Sequence, residues 1–121
     1  MKIITSRSAN ALSGEVFVPG DKSISHRALL ISALSAGDTC IKGLLESDDV
    51  LTTINAIRTL GSSAYRENNG IWHVLGCGLG ALKEPADILD MGNSGTAARL
   101  LLGIIATHPI TATLTGDNSL R

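Results

Sequence analysis

The stretch Gly20-Asp21-Lys22-Ser23-Ile24-Ser25-His26-Arg27 returns in outline seventy-two residues later as Gly92-Asn93-Ser94-Gly95-Thr96-Ala97-Ala98-Arg99. Leu29-Leu30 falls on Leu101-Leu102 in the same alignment, and a shortened third copy stands at Gly116-Asp117-Asn118-Ser119. Each copy reads as a glycine turn after a strand, a small polar residue and the start of a helix. Such a turn suits an anion. Glycine lets backbone N–H groups approach a ligand, the first helical turn leaves donors unpaired, and the helix dipole favours negative charge. The first copy adds Lys22 on the turn and Arg27 four residues after Ser23, on the same helical face. A lysine, a serine and an arginine there fit a phosphate or carboxylate ligand. No G-x-x-x-x-G-K-[ST] nucleotide loop is present.

Working outward, apolar periodicity and turn residues give the rest of the order. Residues 14–18 read as a short strand before Pro19-Gly20. A helix follows from about Ser25 to Ala36, capped by Ser23 or Ser25 and stopped by Gly37. Thr39 to Leu44 reads as a strand. Asp48-Asp49 opens a second helix with the stripe Val50, Ile54, Ile57, Leu60. Ser63–Arg66 and Gly70–Leu75 read as a hairpin with an Asn-Gly turn. After a loop from Gly76 to Pro85 come a strand at Ile88–Met91, a helix at Gly95–Thr107 and a strand at Thr111–Thr115. That third helix is apolar on nearly every side and is expected to be buried. Alternating elements of this kind make a layered α/β (α+β) domain.

Composition narrows the partners. The chain has 121 residues, 44% hydrophobic and 17% charged, with a net charge of −1. Its only aromatics are Phe17, Tyr65 and Trp72, so neither basic stripes nor stacking platforms point to nucleic acid. The longest apolar run, Leu100 to Ala106, is far short of a membrane span of ~20 residues, and Met1 to Arg7, without an apolar h-region, does not read as a secretory signal. Cys40 and Cys77 lack a C-x-x-C pattern and read as two buried thiols in a reducing cytoplasm. His26, His73 and His108 show no ligand spacing, so no metal is expected.

The three quoted motifs also carry a resemblance. Pro19-Gly20-Asp21-Lys22-Ser23-Ile24-Ser25-His26-Arg27-Ala28 resembles the N-terminal signature of EPSP synthases. Asp90-Met91-Gly92-Asn93-Ser94-Gly95-Thr96-Ala97-Ala98-Arg99-Leu100 resembles their second signature, and Leu114-Thr115-Gly116-Asp117 the start of a third. The resemblance runs from about Leu12 to the last residue. The related enolpyruvyl transferase acting on UDP-N-acetylglucosamine has a different lysine motif and a cysteine in a later loop, and neither Cys40 nor Cys77 matches it.

The resemblance implies an inside-out α/β barrel of two halves, each made from β-α-β-α-β-β units, with the active site between them. Residues 1–19 would then belong to the other half. Residues 20–121 would form the first unit and the start of the next. It implies transfer of enolpyruvyl from phosphoenolpyruvate to the 5-hydroxyl of shikimate 3-phosphate, with no cofactor and with glyphosate as inhibitor. By position, Lys22 would contact both substrates, Ser23 and Arg27 would hold the shikimate ring and carboxylate, and Asn93, Gly95 and Thr96 would line the phosphoenolpyruvate side. Asp49 is implied to lie near the reacting centre. Family chains are several times longer and continue past the third signature with a Lys-Arg-Pro segment. The chain is therefore expected to be an N-terminal piece, inactive alone and in need of a C-terminal remainder. A stand-alone anion-binding module and an inert structural fragment are the alternatives.

Overall fold

A computed structural model describes residues 2–121. Helix α1 (Lys22–Leu34) leads to strand β1 (Ala36–Ile41), helix α2 (Asp48–Thr59) and strands β2 (Ser63–Arg66) and β3 (Trp72–Cys77). Strand β4 (Leu89–Asp90), helix α3 (Gly95–Ile105) and strand β5 (Leu114–Thr115) complete the order. The mixed α/β class read from the sequence is the one found.

Strands β1, β3 and β2 form an antiparallel sheet in that spatial order. Cys40 faces His73, which faces Tyr65 on its other side. Helix α1 packs so tightly on β3 that a Cβ on Gly76 would stand 2.1 Å from the Ser32 carbonyl oxygen. Only glycine fits there. Strands β4 and β5 pair in parallel, Leu89 with Leu114 and Asp90 with Thr115, with α3 as the crossover that parallel pairing requires. Leu29, Leu30, Val50, Ile54, Ile57, Val74, Met91 and Leu101 form the buried centre between helices and sheet.

Several sequence expectations are corrected. Residues 14–18 form no strand, and Phe17 is 92% exposed; no described strand pairs with them, and an extended segment without a partner gains no ladder hydrogen bonds. Helix α1 starts three residues early because Asp21 caps it, accepting from the Ile24 N–H at 2.8 Å. Strand β1 lies earlier than expected and ends before Gly43, whose positive φ turns the chain. The hairpin turn is a longer one: Gly70 N–H donates to the Glu67 carbonyl and Glu67 N–H to Ile71, with the positive φ at Gly70. This is a type I turn followed by a left-handed glycine rather than a two-residue Asn-Gly turn. Helix α3 buries only Ala97, Ala98, Leu101 and Ile105, and Leu102 is 52% exposed. It packs on α1 and α2 from one side. The cysteines are not both buried. Cys40 projects from the open face of β1, and Cys77 is half-buried at a strand end.

Candidate substrate-binding site at the helix starts

Two helix N-termini, those of α1 and α2, meet at an ion pair. Lys22 Nζ lies 2.9 Å from Asp49 Oδ2, with the side chains 50% and 21% exposed. A cation in the first turn of α1 works against the helix dipole, whereas Asp48 and Asp49 favour the start of α2. Asp49 thus compensates a lysine that its own helix does not favour. A pair this open contributes at most about 1 kcal/mol, so its consequence is placement of the ammonium rather than stability.

One turn further along both helices a second contact repeats the first. His26 Nδ1 and Thr53 Oγ1 are 2.7 Å apart, and Thr53 Oγ1 also donates to the Asp49 carbonyl at 3.4 Å. His26 is fully buried, and its Nε2 has no hydrogen-bond partner among the described residues. Burial holds its pKa below the usual imidazole value, opposed by Asp49 and assisted by Lys22 and Arg27. His26 is therefore the neutral rung beneath the charged one. Ser25 ties in a third segment, its hydroxyl donating to the Asp21 carbonyl and accepting from Leu45 N–H. Asp21, Ser25, His26 and Thr53 were absent from the sequence-based site. Their partners outside α1 lie 20 to 27 residues away, where no local pattern points.

Ser23 is exposed on α1, and Arg27 folds back so that one guanidinium N–H donates to the Ser23 carbonyl at 3.1 Å. Arg27 as a whole is exposed. Lys22, Ser23, Arg27 and Asp49 therefore gather at one end of the α1–α2 pair.

The second copy builds a different surface. Ser94 caps α3, its Oγ accepting from Ala97 N–H at 3.4 Å, so this helix starts one residue later in the repeat than α1 does. Gly92 takes the positive φ of the turn, while Gly95 does not need it. Beyond its own helix, a Cβ on Gly95 would meet only Leu120 Cδ1 among the described residues, at 3.7 Å. Asn93 and Thr96 are exposed beside it. Gly95 and Arg99 line a groove of about 410 Å³ with Gly116 of the third copy and Arg121 just beyond it. Asp117 N–H donates to the Gly92 carbonyl at 2.7 Å, locking the second and third turns together. Among the described residues no hydrogen bond or ion pair joins this group to Lys22 and Asp49.

The arrangement matches known proteins over almost the whole chain. The family model described as EPSP synthase (3-phosphoshikimate 1-carboxyvinyltransferase) matches residues 6–121. The chain belongs to the EPSP synthase family. It is 57% identical to a 3-phosphoshikimate 1-carboxyvinyltransferase of Paramagnetospirillum magneticum over 99% of its own length and 27% of that protein's. The corresponding enzyme of Granulibacter bethesdensis is 58% identical over 98% of this chain and 27% of its own. An EPSP synthase structure from Acinetobacter baumannii superposes with a TM-score of 0.82 at 44% identity, covering 88% of this chain and 24% of that one. The chain thus spans about a quarter of the length of the relatives it matches. No helix among its described residues is long and apolar enough to cross a membrane.

Proposed function

We propose that this chain is the N-terminal portion of a cytoplasmic enzyme that transfers enolpyruvyl from phosphoenolpyruvate to the 5-hydroxyl of shikimate 3-phosphate. The observation that carries this reading is the Lys22–Asp49 pair at the joined starts of α1 and α2, with Arg27 one turn on. Arg27 and Ser23 take the shikimate ring and its carboxylate. Lys22 stands between the two anionic substrates, where its charge offsets their repulsion and holds them in reacting distance. Asp49 keeps the ammonium aimed until substrate arrives.

The 5-hydroxyl oxygen loses its proton and adds to the enol carbon while the methylene gains a proton; the resulting methyl then loses a proton as phosphate leaves and the enol double bond re-forms. Asn93, Gly95 and Thr96 line the phosphoenolpyruvate side, which glyphosate also occupies. The rest of such an enzyme is the partner that completes the cleft, and the exposed Val16, Phe17, Val18 and Leu102 are apolar surface for it to cover.

Calorimetric titration of the chain with shikimate 3-phosphate, beside inorganic phosphate, tests the first half. Saturable binding lost in Lys22→Ala and Arg27→Ala supports it; equal binding of both anions would reduce the site to a general anion module. Phosphate release from a full-length enzyme carrying this sequence tests the second half. Absence of release there, with binding intact, would reject transfer.

A further inference from the structure

The outward face of the three-stranded sheet carries a cluster of side chains that has no part in the site above. Asp38 and Cys40 are two residues apart on β1 and so share a face, and His73 on β3 is the register partner of Cys40. His73 Nδ1 lies 3.5 Å from Cys40 Sγ and 2.9 Å from Asp38 Oδ2. One nitrogen, one sulfur and one oxygen fall within 4.8 Å of one another. The imidazole is held from two further sides. Tyr65 stacks on it at 5.0 Å with ring planes 5° apart, and Glu67 Oε1 lies 3.0 Å from Nε2. Glu67 is itself braced by the Asn69 amide at 2.7 Å. The His73 side chain is only 12% exposed, whereas Asp38 and Cys40 open to solvent.

We infer that Asp38, Cys40 and His73 bind one divalent cation of borderline softness, of the Zn²⁺ type. The donor set of thiolate, imidazole and carboxylate is the one such ions take, and the hard ions Mg²⁺ and Ca²⁺ do not. A tetrahedral ion with ordinary Zn–S and Zn–N bonds holds those two atoms about 3.5 Å apart, which is the Cys40–His73 separation found here. Glu67 beside the far nitrogen supplies the carboxylate–histidine–metal arrangement, and the ion takes the place of the proton that Nδ1 shares with Asp38. Binding releases the thiol proton of Cys40 and any proton on Nδ1 to solvent, and water fills the open position. The ion joins β1 to β3 across the sheet.

The test titrates the reduced full chain, stripped with chelator, with Co²⁺ and then Zn²⁺. One equivalent of Co²⁺ should raise a thiolate-to-cobalt absorption band that Zn²⁺ displaces and Mg²⁺ does not. Cys40→Ser should remove the band. Glu67→Gln should weaken binding roughly 10–100-fold while leaving the band at saturation. Zn²⁺ should raise the unfolding temperature of the parent and not of His73→Gln. These positions lie on the outer face, and far-ultraviolet circular dichroism checks that each variant folds. A band retained in Cys40→Ser would move the ligand to Cys77, and Zn²⁺ stabilisation retained in His73→Gln would remove His73 from the site. Either result, or no saturable band at all, overturns the proposal.

Discussion

The starts of α1 and α3 are two versions of one turn put to different uses. In α1 the cap is Asp21, and the next residue, Lys22, is a cation pinned by Asp49 from a neighbouring helix. In α3 the cap is Ser94, and the next residue, Gly95, carries no side chain, so that the backbone itself forms the surface. One start presents charge; the other presents space. The same local geometry can therefore serve a charged contact or a close steric fit, depending on a single residue after the cap.

The comparison breaks most visibly if the charge is removed. In a full-length enzyme carrying this sequence, Lys22→Ala should lower kcat by about 10³-fold, toward the upper end of what loss of one electrostatic group costs. Phosphate release measures it, and a loss under tenfold would demote Lys22 to a surface residue. Arg27→Ala should act on one substrate. Binding of shikimate 3-phosphate should weaken by roughly 2–3 kcal/mol, the low end for an unpaired partner charge because this arginine is open to solvent. Equal losses for phosphoenolpyruvate would place Arg27 elsewhere.

The spatial half of the comparison is sharpened at Gly95. Alanine there meets no backbone atom of another segment among the described residues and needs no positive φ, so unfolding in urea should shift by less than about 0.5 kcal/mol. Glyphosate inhibition should nonetheless weaken by roughly tenfold, about 1.4 kcal/mol, with a smaller change in the Michaelis constant for phosphoenolpyruvate. Parallel changes in both constants would mean that the methyl does not discriminate. The smallest effect belongs to the rung beneath Lys22. His26 is held neutral by burial, so below its ordinary pKa of about 6.5 the unfolded chain binds a proton that the fold does not. The contribution of His26 to stability is complete above that pH and is lost as pH drops through it, and His26→Gln should remove this fall from the profile. A His26→Gln protein that loses as much stability as its parent between pH 7 and 5 would contradict the assignment.

What could be read without coordinates was local. The stripe Val50, Ile54, Ile57, Leu60 places α2 to within a residue at its C-terminal end, since apolar spacing and a terminal glycine act within a few turns. The turns at Gly20, Gly92 and Gly116, and with them the family, follow from adjacent residues. Residues 14–18 alternate as a strand should, yet whether they form one depends on a neighbour, and none is among the described residues. Likewise the apolar run of α3 marks a helix but not which side is covered.

The presence and order of the three helices, the repeated turns and the resemblance to the EPSP synthase family are legible along the chain, because periodicity and motifs are settled by sequence neighbours. Tertiary structure alone decided that Lys22 meets Asp49, that His26 meets Thr53, and that Asp38, Cys40 and His73 gather on one face of a sheet. Those partners stand 27 to 35 residues apart. What brings them together is the packing of α1 on α2 and the register of β1 against β3, and a one-residue slip in that register would turn His73 away from Cys40.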